Sequence, residues 1–237
     1  MTFRKSGATQ SPTIITLASS KGGVGKSTTC AALAGALAAR GSSVNVIDLD
    51  QNQTLYRWFS THLPNIPNLA VLAATPETFN ETLAAAAADG PDFILIDVAG
   101  AYEATMIKAI AASHLVITPA KLSEPDLREA GKIMGEVDAF NTRFKSRIAH
   151  RVLVNEAEPL DPHYQRHALS EVDASSFVRF ETLMMRRAPY REIFISGLPP
   201  HFADTARAPI RKAIAELDAV TDEILAVLQP IQQEKAA

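Results

Sequence analysis

Short runs of apolar residues recur along the chain, at Thr13–Ala18, Ser43–Ile47, Ala70–Ala73, Phe93–Ile96, Leu115–Thr118 and Arg151–Val154. They do not alternate with polar residues. Strands of this kind are buried on both faces, as in a parallel sheet covered on each side by helices. Helical stretches lie between them: Ser27–Arg40, closed by Gly41 as a C′ residue, then Glu77–Ala88, Glu103–Ala112 and Asp126–Phe140. Strand and helix therefore alternate. That pattern predicts right-handed crossovers and an α/β fold, a doubly wound, mostly parallel sheet with helices on both faces. The last third predicts a helix near Pro189–Ile195, a loop at Gly197–Pro200 and a final helix over Ala208–Leu228. No repeat and no Gly/Ser or Pro linker divides the chain. One domain is expected over 13–230, with flexible termini at 1–12 and 231–237.

Composition narrows the class. Of 237 residues, 47% are hydrophobic and 21% charged, which excludes a disordered or fibrous chain. The formal net charge of −3 excludes a globally basic nucleic-acid binder but not a local basic face. A single cysteine, Cys30, excludes a disulfide framework, a cysteine-based zinc site or a cysteine-ligated iron–sulfur cluster within one chain, and fits a reducing cytoplasm. Met1–Pro12 has no apolar core, and Ala31–Ala39 and Ala84–Ala88 are too short to span a bilayer, so no membrane association is expected.

The chemistry concentrates in Ser19-Ser20-Lys21-Gly22-Gly23-Val24-Gly25-Lys26-Ser27-Thr28, which follows one predicted strand and opens a predicted helix. That is the setting of a phosphate-binding loop. Glycines let backbone N–H groups close around phosphate oxygens, and the helix N-terminus favours negative charge. Gly22, Gly23, Val24, Gly25 and Thr28 would supply the cradle, Lys26 would bridge the terminal phosphates, and Ser27 would ligate Mg²⁺. The strict G-x-x-x-x-G-K-[ST] pattern needs Gly where this chain has Ser20, and a second lysine, Lys21, stands beside it.

K-G-G-x-G-K-[ST] resembles the deviant Walker A motif of the ParA/MinD family of ATPases. Val46-Ile47-Asp48-Leu49-Asp50-Gln51-Asn52-Gln53 is similar to the family's switch I segment, D-x-D-P-Q, with Gln51-Asn52 replacing the rigid Pro-Gln. The resemblance implies that Asp50 orients the attacking water and that Asp48 lies near the Mg²⁺ shell. Phe93-Ile94-Leu95-Ile96-Asp97-Val98-Ala99-Gly100 resembles Walker B, with Asp97 facing Mg²⁺ and the Gly100 amide approaching the γ-phosphate. Asn155, ending Val152-Leu153-Val154, falls where the family places an adenine-contacting Asn. Lys21 would reach across a nucleotide sandwich to the partner subunit's phosphates. The resemblance thus implies one ATPase domain using ATP and Mg²⁺, a homodimer formed on ATP binding, and slow hydrolysis stimulated by a ParB-like or adaptor protein.

Charge is segregated. Arg186, Arg187, Arg191, Arg207, Arg211 and Lys212 face only Glu192 and Asp204 within Leu183–Lys212, and Arg143, Lys145, Arg147 and Arg151 cluster with no acid. The tail from Ala213 is acidic, unlike the basic membrane helix that ends MinD-type members. Partition ATPases bind DNA non-specifically through C-terminal basic residues, so the first six residues are the expected DNA face, and the protein is expected in the cytoplasm on the nucleoid. With about a dozen residues before the first strand, the helix-turn-helix domain of longer partition ATPases, and with it sequence-specific operator binding, is not expected. Tyr56-Arg57-Trp58-Phe59, Thr118–Leu127 and Met184–Gly197 resemble the ParA-like ATPase family of the T-DNA-transfer virulence C operon. A dethiobiotin-synthetase-type phosphotransferase is the alternative function; Lys21 argues against it. His163 and His167, spaced i, i+4, lack the Glu of a zinc-protease motif.

Overall fold

The computed structural model describes residues 11–62, 64–98, 103–160 and 162–236. Of the termini expected to be flexible, 1–12 and 231–237, residues 1–10 and 237 lie outside them. Six parallel strands form the sheet: β1 (Thr13–Leu17), β2 (Val44–Asp48), β3 (Leu69–Ala73), β4 (Phe93–Asp97), β5 (Leu115–Ala120) and β6 (Ala149–Val154). Their spatial order is β3-β2-β4-β1-β5-β6, so the chain winds outward in both directions from the centre. The helices are α1 (Lys26–Ala39), α2 (Thr54–His62), α3 (Phe79–Ala88), α4 (Glu103–Ala112), α5 (Glu124–Phe144), α6 (His163–Ala174), α7 (Ala188–Ser196) and α8 (Ala208–Ala236). The doubly wound α/β expectation holds.

The unbroken apolar strands serve two cores. On one face Ile15, Leu17, Val46 and Leu95 pack with α1, α2, α7 and α8. On the other, Ile47, Ile94, Ile96 and Val116 pack with Phe79, Met106, Ile110, Ile133 and Val137 of α3, α4 and α5. Helix α1 is buried continuously from Thr29 to Ala38, which explains its Ala-rich sequence. It is sandwiched between the sheet and the C-terminal helices, and a Cβ on Gly35 would collide with the Pro199 ring.

Helix α8 keeps its backbone helical through Ala236, past the expected end at Leu228 and through residues 231–236. Four of its acidic residues are engaged within the chain. Asp218 and Asp222 pair with Arg40, Glu223 accepts the backbone N–H groups of Glu181 and Thr182, and Glu216 pairs with Arg187 and accepts the Tyr190 hydroxyl. The negative tail is therefore a clamp rather than a free charged face. Two helices escape the sequence pattern, α2 and α6. So does the segment around residues 178–186, which pairs irregularly with β6 through bonds such as Phe180 N–H to Val152 O at 2.9 Å and covers that edge strand.

Candidate nucleotide site

The order β2-β4-β1-β5 brings four carboxyl-terminal strand ends together. Asp97 ends β4 between Leu17 of β1 and Asp48 of β2, in register with both. The loop from Ser19 to Gly25 leaves β1 beside them and enters α1 at Lys26. Open sheets bind ligands at such a crevice.

Two left-handed residues shape the loop, Gly23 (φ 75°) and Gly25 (φ 90°). A Cβ at Gly25 would land on the Asn155 carboxamide. Asn155 is buried; its Nδ2 donates to Val24 O at 2.8 Å and its Oδ1 accepts the Glu156 N–H at 2.9 Å. Here Asn155, expected to touch a base, braces the loop backbone. Lys26 Nζ donates to Lys21 O at 2.8 Å, lying across the loop. Burial lowers its pKa, opposed by the nearby carboxylates of Asp97 and Asp50.

Asp97 is the electrostatic centre. It is fully buried, and neither carboxylate oxygen has a hydrogen-bond partner among the described residues. Burial pushes its pKa up to about 7, and the negative charges of Asp48 and Asp50 add to the rise; the Ser27 hydroxyl and the Lys26 ammonium oppose it, short of a formed hydrogen bond. An orphaned buried carboxylate facing a helix-start hydroxyl, with an ammonium nearby, suits a divalent cation. Ser27 and Asp97 would hold Mg²⁺.

Asp48 has other work. Its Oδ2 accepts the N–H groups of Leu55 and Tyr56 at 2.8 and 3.0 Å, and its Oδ1 accepts that of Asp50 at 3.0 Å. The carboxylate, expected near the Mg²⁺ shell, thus caps α2 and ties down the switch I turn. Asp50 completes the turn, its Oδ1 accepting the Asn52 N–H at 2.9 Å. Two carboxylates thereby supply the rigidity that Gln51-Asn52 lacks without a proline. Gly100 lies outside the described residues.

The basic segment divides on inspection. Arg187 is tied to Glu216, and Arg207 forms a two-bond pair with Glu192 at 2.8 and 2.9 Å. Arg211 donates to the carbonyls of Thr205 and Ala206, and Arg186 makes a long 3.5 Å pair with Glu158. Arg191 and Lys212 are exposed and make no ion pair among the described residues.

Sequence reasoning missed Asp126 and Glu129 on α5. Lys21 Nζ pairs with Asp126 Oδ1 at 2.5 Å, and the Ser20 hydroxyl donates to Glu129. The available signal was Ser123-x-x-Asp126, a helix-start pattern directly after β5, the strand beside β1.

Among the described residues no group of three or more His, Cys, Asp or Glu side chains could hold a metal ion, and no helix is long and apolar enough to cross a membrane.

The model of the VirC1 protein family matches residues 13–158. Protein ParA of Rhizobium radiobacter is 25% identical over 87% of this chain and 93% of its own length. Protein virC1 of the same organism is 33% identical over 49% of this chain, which spans only about half, 52%, of that relative. The septum site-determining protein MinD of Pyrococcus horikoshii OT3, complexed with Mg-ADP, superposes with a TM-score of 0.65 at 17% identity over 91% of this chain and 98% of that one, a likeness of fold. With the family model spanning more than half its residues, the chain belongs to the VirC1 protein family, a ParA-like P-loop ATPase on the ParA/MinD fold.

Proposed function

We propose that the protein is a switch that dimerises on ATP, hydrolyses it slowly with Mg²⁺, and binds DNA non-specifically to position a cargo such as a plasmid, chromosome or transfer complex. The observation that carries this reading is the division of labour between two lysines of one loop. Lys26 is half-buried near Asp97, whereas Lys21, its side chain 40% exposed, pairs with Asp126 of α5 and not with the carboxylates around Asp97. A lysine held apart from its own site's carboxylates is suited to a phosphate group on a second copy. Without that phosphate charge, two facing lysines repel.

Within one subunit the residues share the work as follows. The loop amides around Gly22–Ser27 receive phosphate oxygens, and Lys26 leaves Lys21 O to bridge the terminal phosphates. Ser27 and Asp97 hold the cation, which neutralises developing phosphate charge when bound. Asp50 orients the attacking water. Asp48 acts through the turn, keeping Asp50 in place. A ParB-like or adaptor protein would accelerate the reaction, and the dimer would reside on the nucleoid.

The DNA reading rests on Arg191 and Lys212, exposed on α7 and α8, which meet through the Tyr190 hydroxyl and Ala213 O. Phosphate contacts need free cations. Retention on random-sequence duplex DNA is expected with ATP and not with ADP, weakening as salt rises. Arg191→Ala with Lys212→Ala should weaken retention and flatten its salt slope, whereas Arg207→Ala should do much less. ATP-independent retention, or a double variant that binds like the parent, contradicts this DNA face.

A further inference from the structure

The two positions at which the phosphate loop departs from the strict pattern are the two that α5 grips. Ser20, where the pattern has Gly, donates to Glu129; the additional lysine, Lys21, pairs with Asp126 at 2.5 Å. Asp126 and Glu129 lie three apart on α5 and so share a face. Glu129 is steadied by Lys132 at 2.6 Å, and its pKa is lowered by Lys132 first and Ser20 second. Asp126 is only 5% exposed at its side chain, and its Oδ2 accepts the Ser123 hydroxyl at 2.7 Å. One oxygen therefore belongs to the helix start and the other to Lys21.

We infer that Asp126 is a positioning residue for Lys21, holding the second lysine on its own subunit until a partner's nucleotide competes it away. This rests on the ATP-driven dimer proposed above. The Ser123–Asp126 helix start needs only a hydrogen-bond acceptor, which an amide also supplies; the charge is what Lys21 requires. A lysine held in cis is unavailable in trans, so apparent dimer affinity is reduced by the fraction of subunits in which it is free. Nucleotide phosphates, carrying several charges, can outbid one carboxylate, whereas an empty partner site cannot. The contact thus makes dimerisation more dependent on ATP.

The test uses the full chain and two readouts. The first is acylation of Lys21 by an N-hydroxysuccinimide ester in nucleotide-free protein, followed by mass spectrometry; an ammonium seated on the buried Asp126 carboxylate is less accessible to the reagent. The second is the ATP concentration that half-dimerises the protein. Asp126→Asn keeps the acceptor for Ser123 and removes the charge. It should speed Lys21 acylation about fivefold, the scale of one partly exposed ion pair, and lower the half-dimerising ATP concentration by a similar factor. Asp126→Glu, which returns the charge, should move both readouts back toward the parent. Should Asp126→Asn fold poorly, Glu129→Ala removes the acceptor of the neighbouring Ser20 hydroxyl and should shift both readouts in the same direction by less. An unchanged acylation rate overturns the proposal, as does faster acylation with an unchanged ATP requirement. A parent protein that stays monomeric at saturating ATP overturns the dimer reading and this inference together, and the parent's own titration distinguishes that failure from the other two.

Discussion

At Asp97, burial outweighs every attraction around the carboxyl. Its pKa is raised from 3.8 to about 7, so between those values the folded protein holds a proton that the unfolded chain has released. The contribution of this group to stability therefore declines as pH rises through that window. Asp97→Asn removes the dependence: its gain in Tm over the parent, without magnesium or nucleotide, should be larger near pH 8 than near pH 5. An equal gain at both would mean that Asp97 is ionised in the fold throughout. Buried His150, shifted down to about 4 chiefly by burial, works the other way, its contribution being lost as pH falls below 6.5. At Gly25 the constraint is geometric. Gly25→Ala forces a Cβ into a left-handed residue, at about 1–2 kcal/mol, and onto the Asn155 carboxamide. It should abolish nucleotide binding, measured by calorimetry, while the chain stays folded. Tight binding by that variant would show that the loop can re-form without its Asn155 brace.

Strands were legible because burial on both faces makes each an unbroken apolar run, and most helices because they follow those runs in regular alternation. Six uninterrupted apolar runs became six parallel strands, and the Ala-rich stretch after the loop became the buried α1. Helix α2 was not legible because its cap is not adjacent: Asp48, six residues before Thr54, supplies it. Helix α6 buries only Gln165 and Val172, too little to make an apolar stripe. The candidate site divides similarly. Loop, Asp50 and Asp97 could be read from spacing and strand ends, but Asp126 and Glu129 could not, because they join the site through the neighbouring strand β5. Asp48 and Asn155 were readable as site residues, but only the hydrogen bonds show how each is used. Trp58 joins α2 to α7, its ring 6.0 Å from that of Phe194. It is 4% exposed. Trp58→Ala should cost about 3–5 kcal/mol in denaturant unfolding, as expected for a buried aromatic. A cost below about 1 kcal/mol would mean that α2 is held by its Asp48 cap alone.

The whole molecule places charges of opposite sign on different duties. Carboxylates of α8 are taken up by Arg40, Arg187 and backbone amides, while Arg191 and Lys212 on the adjoining surface make no ion pair among the described residues. A chain with net charge −3 can in this way present a local basic face. Lys21, partly exposed and held on Asp126, stands at the edge of the nucleotide crevice, where the proposed dimer would bring it to another subunit's phosphates. The most direct test of this account is molar mass by light scattering with ATP, with ADP and without nucleotide, for the parent and for Lys21→Ala. The account predicts twice the chain mass with ATP only, and a Lys21→Ala protein that binds ATP but remains at single mass. A parent that stays at single mass with ATP bound, or an undiminished Lys21→Ala dimer, would contradict it.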